Sequence, residues 1–229
     1  MRLYFSKARS NQVNDIKKLC SEKKLPYREL DNESLNKVAS SVHHEGVVMV
    51  AKPRQPQSVH TLIRGKLAAD GIVVAVDRVS NTHNLGAILR SCAFFGAEAM
   101  VVGLEGNQAT MTSSAARMAE GALETVPLFQ SSDLASALRD FRDRKVFVVG
   151  ADLANGQSLY EAKIPFPCVL VIGNEQEGLS PKVRRRCDAV VTIPTTGTMQ
   201  SLNVSVAAGV ILSELRRRQP HKPSTPAAK

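Results

Sequence analysis

Three stretches of the chain concentrate residue types that could do chemistry. Residues 77–90 hold Asn81, His83, Asn84 and Arg90. Gly173-Asn174-Glu175-Gln176-Glu177-Gly178 sets carboxylates between two glycines. Residues 194–203 bring Thr195, Ser201 and Asn203. Each stretch is rich in Gly, Ser, Thr or Asn, so backbone groups can come close to a ligand. Amides, hydroxyls, a carboxylate and a guanidinium can orient a substrate by hydrogen bonds and stabilise negative charge. None of the three is a nucleotide-phosphate loop. No GxxxxGK[ST] occurs, and no GxGxxG follows a strand, so the dinucleotide-binding fingerprint is absent. The same absence counts against an ordinary Rossmann methyltransferase, and against a nucleotide-dependent dehydrogenase.

Metal chemistry has little support. Cys20, Cys92, Cys168 and Cys187 are far apart and form no CxxC pair, which speaks against zinc and against a disulfide framework. Cys168 lies in an apolar run and reads as a buried thiol.

The three stretches need strands to carry them. Residues 72–76, 146–149, 169–172 and 190–193 are short apolar runs suited to strands buried on both faces. Residues 99–102 add another. Helical patterns cover 84–95, 112–119, 134–141 and 202–218, with Ser131 or Ser132 as a cap for the third. Ser180-Pro181 is a helix start, with a capping hydroxyl and a proline in the first turn. Strands alternating with helices imply an α/β domain with a mostly parallel sheet. Ligands in such sheets bind outside the carboxyl ends of the strands, and the three polar stretches follow strands 72–76, 169–172 and 190–193.

A smaller unit precedes this one. Strands at 3–5, 27–30 and 46–51, with helices at 11–24 and 33–40, give a β-α-β-α-β pattern within residues 1–52. Pro26 ends the first of those helices. Residues 53–67 read as a linker, polar and proline-containing at first, with a short helix around 59–67. Residues 68–219 form the larger domain, and 220–229 a disordered tail by composition.

Composition points to a polyanion. Lys and Arg number 30 against 21 Asp and Glu, for a net charge of +9 and a pI near 9.6. Phosphate contacts by Lys and Arg release condensed counterions, which favours nucleic acid; a charge that only aids solubility is the plainer reading. Arg184-Arg185-Arg186 and Arg216-Arg217-Arg218 are candidate phosphate contacts, or solvated basic faces. With no signal peptide and no 18-residue apolar run, the chain reads as soluble and cytoplasmic, with no membrane partner.

Taken together, the three stretches resemble the motifs of the SpoU (TrmH-type) family of SPOUT RNA 2'-O-ribose methyltransferases. Asn81-Thr82-His83-Asn84-Leu85-Gly86-Ala87-Ile88-Leu89-Arg90 resembles the first motif. Val171-Ile172-Gly173-Asn174-Glu175-Gln176-Glu177-Gly178-Leu179 resembles the second, and Ile193-Pro194 through Ser201-Leu202-Asn203-Val204-Ser205-Val206-Ala207 the third. They occur in order and at family-like spacing.

The resemblance implies a SPOUT catalytic domain, a parallel sheet knotted as a deep trefoil, with S-adenosylmethionine bent among the knot loops. It implies a homodimer, and tRNA or ribosomal RNA as substrate. By position Gly173, Ile193 and Leu202 match the family's cofactor contacts, with Ile172, Gly178 and Ser201 beside them. Gly121, in Ala119-Glu120-Gly121-Ala122, matches another loop near the cofactor. Residues 1–52 resemble the ribosomal-protein-like substrate-binding domain often fused to the family. That domain usually begins with an extra helix, and this chain starts after it, which leaves open a truncated domain or a piece of a longer protein.

Methyl transfer to a 2'-hydroxyl needs a lost proton, an aligned oxygen and exclusion of water. The resemblance sets Arg90 beside the ribose. An arginine with a pKa above ~12 is a poor base, so its expected work is to stabilise the developing alkoxide and contact phosphate. Asn84 bonds backbone or RNA, or caps a helix. Glu175 orients Arg90 or a substrate group, or is a solvated carboxylate. Ser201 and Asn203 position the ribose, or cap the last helix. His83 reads as a loop histidine with no identifiable partner. The chain departs from the family pattern at Gln176, usually Gly, at Thr82, commonly Pro, and at Thr198-Met199-Gln200, where smaller residues are common; Gln176 could reshape the cofactor loop. Two further readings stay open: a SPOUT enzyme that methylates a base nitrogen, and an RNA-binding or ribosome-assembly factor that keeps the fold without turnover.

Overall fold

The computed structural model describes residues 1–52, 55–152, 156–198 and 201–219. The tail expected at 220–229 lies outside the described residues, as do Met199 and Gln200. The chain divides into two compact units, Met1–Gln55 and Pro56–Lys229.

The smaller unit has the expected β-α-β-α-β order. Strand β1 is Arg2–Phe5, α1 Asn14–Glu22, β2 Tyr27–Glu29, α2 Asn32–Ala39 and β3 Val47–Val50. β1 is central, parallel to β2 and antiparallel to β3. Leu3, Phe5, Val13 and Cys20 form its core. Asp31 caps α2 by accepting from the Ser34 amide at 2.8 Å, which satisfies one of the orphan donors of the first turn.

The larger unit runs β4 Gln57–Ser58, α3 Val59–Arg64, β5 Ile72–Val76, α4 Thr82–Phe94, β6 Ala99–Gly103, α5 Ser113–Met118, α6 Ala122–Thr125, β7 Leu128–Ser131, α7 Leu134–Asp143, β8 Phe147–Ala151, β9 Gln157–Ser158, β10 Cys168–Ile172, α8 Pro181–Arg184, β11 Ala189–Thr192 and α9 Val204–Arg218. The eight strands lie in the order β4-β7-β6-β5-β10-β8-β11-β9. Every pairing among them is parallel. Within the stretch read as linker, β4 thus joins the sheet edge beside β7, and α3 is the short helix expected there.

The apolar runs form this sheet because it is covered on both sides. Every residue of β5, β6 and β10 is buried. Side chains alternate along a strand: Ile72, Val74 and Val76 pack with α4 and α9, while Val73 and Ala75 pack with α3, α7 and α8. Each such buried aliphatic side chain is worth about 1.5–3 kcal/mol. The free thiols of Cys92 and Cys168 share this interior, and burial pushes both up to about 12.

Two capping expectations are corrected. Helix α7 is capped by Asp133, whose carboxylate accepts from the Ser136 amide at 3.0 Å; Ser131 is a buried strand residue. Ser180 holds the N-cap position of α8, but its hydroxyl makes no capping bond. Instead its amide donates to the buried Asp77 carboxylate at 2.6 Å, which ties the end of β5 to the start of α8.

The second arginine run is spent on docking α9. Arg216 donates to the carbonyls of Phe95 and Gly96, and Arg218 to those of Leu159 and Ala162. Arg217 and Arg218 both pair with the buried Glu214. In the first run, Arg184 pairs with Asp152. Among the described residues no helix is long and apolar enough to cross a membrane.

Candidate active site

The carboxyl ends of β8, β10 and β11 open into a cavity of about 260 Å³ that α9 closes from one side. It lies outside the carboxyl ends of the strands, the usual place for a ligand in an open parallel sheet. Ile172, Val191, Ile193, Leu202, Val204 and Ile211 give it apolar walls. Gly173, Gly178, Glu175 and Ser201 also line it. A largely apolar cleft with a few placed polar groups is the ordinary form of a small-molecule site.

The wall after β10 is a closed loop. Asn174 and Gly178 exchange backbone hydrogen bonds of 2.9 and 3.0 Å. Inside the loop, the Asn174 side-chain oxygen accepts from the amides of Gln176 at 2.9 Å and Glu177 at 3.1 Å. Its amide nitrogen donates 2.9 Å to the carbonyl of Arg78. Arg78 in turn reaches Glu177 and the Gly178 carbonyl. One asparagine and one arginine therefore join this loop to the one after β5. Gly173 is required by close approach: a Cβ there would lie 2.3 Å from the carbonyl carbon of Gly178. Gln176 is exposed at the loop tip, is not among the residues with positive φ, and does not line the cavity. The loop closes with a side chain there.

Beside the cavity, residues from all three stretches enter a single hydrogen-bonded chain. The Asn203 amide donates to the Asn84 side-chain oxygen at 3.1 Å. The Asn84 amide donates to Glu175 at 2.9 Å. The second Glu175 oxygen accepts from the Ser80 hydroxyl at 3.4 Å. Burial pushes the Glu175 carboxyl up, but the Asn84 amide and the backbone amides of residues 175, 80 and 81 together outweigh it. The group is held below its ordinary 4.5 and is an acceptor, not an acid.

The site residues read from the sequence separate into two sets. Ile172, Gly173, Glu175, Gly178, Ile193, Ser201 and Leu202 line the cavity, with Asn84 and Asn203 in the adjoining chain. Arg90 and Gly121 do not line it. Glu175 does not orient Arg90: the Arg90 guanidinium donates instead to Glu120 at 2.7 Å, with both side chains largely exposed. Asn84 does not cap α4, because Asn81 does, accepting from the amides of His83 and Asn84. Asn203 does both jobs, capping α9 through Ser205 while its amide reaches Asn84. His83 lies in the first turn of α4 rather than in a loop, and its Nε2 is 3.3 Å from the Ser114 hydroxyl. Ala151 and Asp152, at the end of β8, line the cavity and escaped the sequence reading. The carboxyl-end rule would have reached them had it been applied to that strand too. Among the described residues no group of three or more His, Cys, Asp or Glu is placed to hold a metal ion.

Comparison with known proteins identifies the family. Residues 71–213 match the model of the SpoU rRNA Methylase family. Residues 1–57 match that of the RNA 2'-O ribose methyltransferase substrate binding domain. The chain is 35% identical over 196 residues to an uncharacterized tRNA/rRNA methyltransferase of Mycobacterium ulcerans, covering 85% of this chain and 63% of that protein. This chain thus spans less than two thirds of that relative's length. It is 29% identical to the 23S rRNA (guanosine-2'-O-)-methyltransferase RlmB of Neisseria meningitidis, over 96% of this chain and 88% of the relative. Among solved structures it is similar to the SpoU methyltransferase AviRb of Streptomyces viridochromogenes in complex with AdoMet. That match has a TM-score of 0.77 and 26% identity, over 94% of this chain and 81% of that one.

Proposed function

Because the chain belongs to the SpoU rRNA methylase family, we propose that it transfers a methyl group from S-adenosylmethionine to a ribose 2'-hydroxyl of ribosomal RNA or tRNA. The observation that carries the reading is the Asn203–Asn84–Glu175 chain, which draws all three motif loops to one cavity.

The cavity suits the cofactor. The apolar walls beside Glu175 and Ser201 match a ligand that is part adenine and part polar amino acid. When bound, S-adenosylmethionine supplies an electrophilic methyl group on a sulfonium. Gly173, Gly178, Ile193 and Leu202 would hold it. Asn84, Ser201 and Asn203 orient the ribose, and Glu175 fixes Asn84 by accepting its amide. Arg90 carries the charge that develops on the 2'-oxygen and the adjoining phosphate.

Residues 1–55 fold as a basic β-α-β-α-β unit and hold the RNA in this reading. The segments that wall the cavity form a trefoil knot, and a second copy of the chain completes each site. Apolar surface supports the second copy. Phe94 is 82% exposed, and Met118, Leu202 and Val206 are exposed on or beside α5 and α9, which both pack on α4. Exposed apolar side chains of this size commonly mark an interface. A substrate of this class puts the protein in the cytoplasm.

The test is calorimetric titration with S-adenosylmethionine, followed by tritiated methyl transfer to unmodified 23S rRNA, 16S rRNA and tRNA transcripts. A 2'-O-methyl group is expected, read as a position resistant to alkaline cleavage. Label on a base nitrogen would move the reading to another reaction. No binding at millimolar cofactor would leave an RNA-binding factor without turnover.

A further inference from the structure

The reaction as described uses Arg90 but gives no role to Glu120, the carboxylate that holds it. Glu120 ends the α5 segment in a left-handed conformation, φ +44, and Gly121 follows at φ +84. The two consecutive left-handed residues turn the chain from α5 into α6, with Ala119 and Ala122 buried on either side. A left-handed residue with a Cβ is strained, a strain that glycine largely avoids. The position thus carries a side chain against its backbone preference. What that side chain does is accept from Arg90 at 2.7 Å.

Resting on the reading of Arg90 given above, we propose that Glu120 is a positioning residue. It is a stand-in anion that holds the Arg90 guanidinium in the RNA-free protein and yields it to an RNA phosphate. The pair is built to be exchanged. The side chains are 57% and 61% exposed, and a single nitrogen–oxygen contact joins them. An exposed pair of that kind shifts an equilibrium only about 1.5- to 5-fold. A phosphate that accepts two parallel hydrogen bonds from the same guanidinium is the stronger partner. Glu120 keeps the long arginine side chain aimed over α5 and α6, and competes weakly with the substrate for it.

The experiment compares the full chain with Glu120→Gln, which keeps the backbone and shape and removes the charge. Affinity for an unmodified 23S rRNA transcript is measured in the presence of S-adenosylhomocysteine, with KM and kcat for methyl transfer to the same transcript. Glu120→Gln is expected to tighten RNA binding about 2- to 5-fold. KM should fall by a similar factor and change more than kcat does. In the Arg90→Ala background the gain should vanish, because the competition has nothing to act on. Unchanged RNA affinity, or a gain that persists without Arg90, would overturn the proposal; the second result would mean that only net charge matters. Arg90→Ala alone separates the two readings. If it transfers methyl as fast as the parent, the role of Arg90 falls and this proposal with it. If it is inactive while Glu120→Gln changes nothing, only the role of Glu120 falls.

Discussion

On the cavity side of the site, the loop after β10 is held by its own backbone pair between Asn174 and Gly178, by the Asn174 side chain and by Arg78. On the α4 side, Arg90 and Glu120 meet in solvent through one contact. The difference follows what each side would hold in the proposed reaction. A small ligand gripped by backbone groups needs those groups fixed before it arrives, since ordering them afterwards costs affinity. RNA brings its own shape and charge, and a cation on a long side chain can move to meet it. Rigidity on one side and exchangeability on the other are two solutions within one set of loops.

Arg90→Ala should cut methyl transfer about 100- to 1000-fold, the usual cost of losing one group that stabilises an oxyanion. S-adenosylmethionine affinity should stay within twofold, by calorimetry. A matching loss of cofactor affinity would erase the division between the two sides. Gly173→Ala is the converse variant. Its Cβ must push against the Gly178 backbone, and overpacking of this kind costs about 1–3 kcal/mol, up to roughly 100-fold in cofactor affinity. Normal titration of this variant would show that the loop is not rigid. Asn84→Ala probes the seam between the sides. It severs both the Asn203 and Glu175 bonds and should lower kcat about 10-fold, measured in steady state with saturating RNA.

The smallest effect is expected outside the cavity lining, toward the end of α9. The hydrogen bond from Arg217, opposed by burial and joined by Arg218, brings the Glu214 carboxyl from 4.5 down to about 2. Its contribution to stability is complete above the ordinary value and is lost as pH falls from about 4.5 through about 2. Melting curves across that range should show an acid-sensitive step that Glu214→Gln removes, with cofactor affinity at pH 7 unchanged. A variant that keeps the full acid step would show that another carboxylate carries it.

Much of the larger unit was legible because buried parallel strands write themselves as unbroken apolar runs, as at Ile72–Val76 and Cys168–Ile172. Strands β4 and β9 are two residues each at or near the sheet edges, and α6 is a single turn. Segments that short carry no periodicity to detect. The capping errors have a similar cause. Ser131, Ser132 and Asp133 are all good caps, and only the path of the chain out of β7 decides that Asp133 does the work.

The sequence by itself determined the fold class, the three polar loops and the family, because each depends on local pattern and on residue types at fixed spacing. It marked Asn84, Glu175 and Asn203 as candidates, but not that they touch. Those residues are 91 and 119 positions apart in the chain, and the parallel order of β5, β10, β8 and β11 brings them within hydrogen-bonding distance. Only the tertiary structure decided that Arg90 belongs to Glu120 rather than to Glu175, since that choice rests on how α4 packs against α5 and α6. A guanidinium and two carboxylates are compatible in any pairing; distance selects one, and distance is a property of the folded chain.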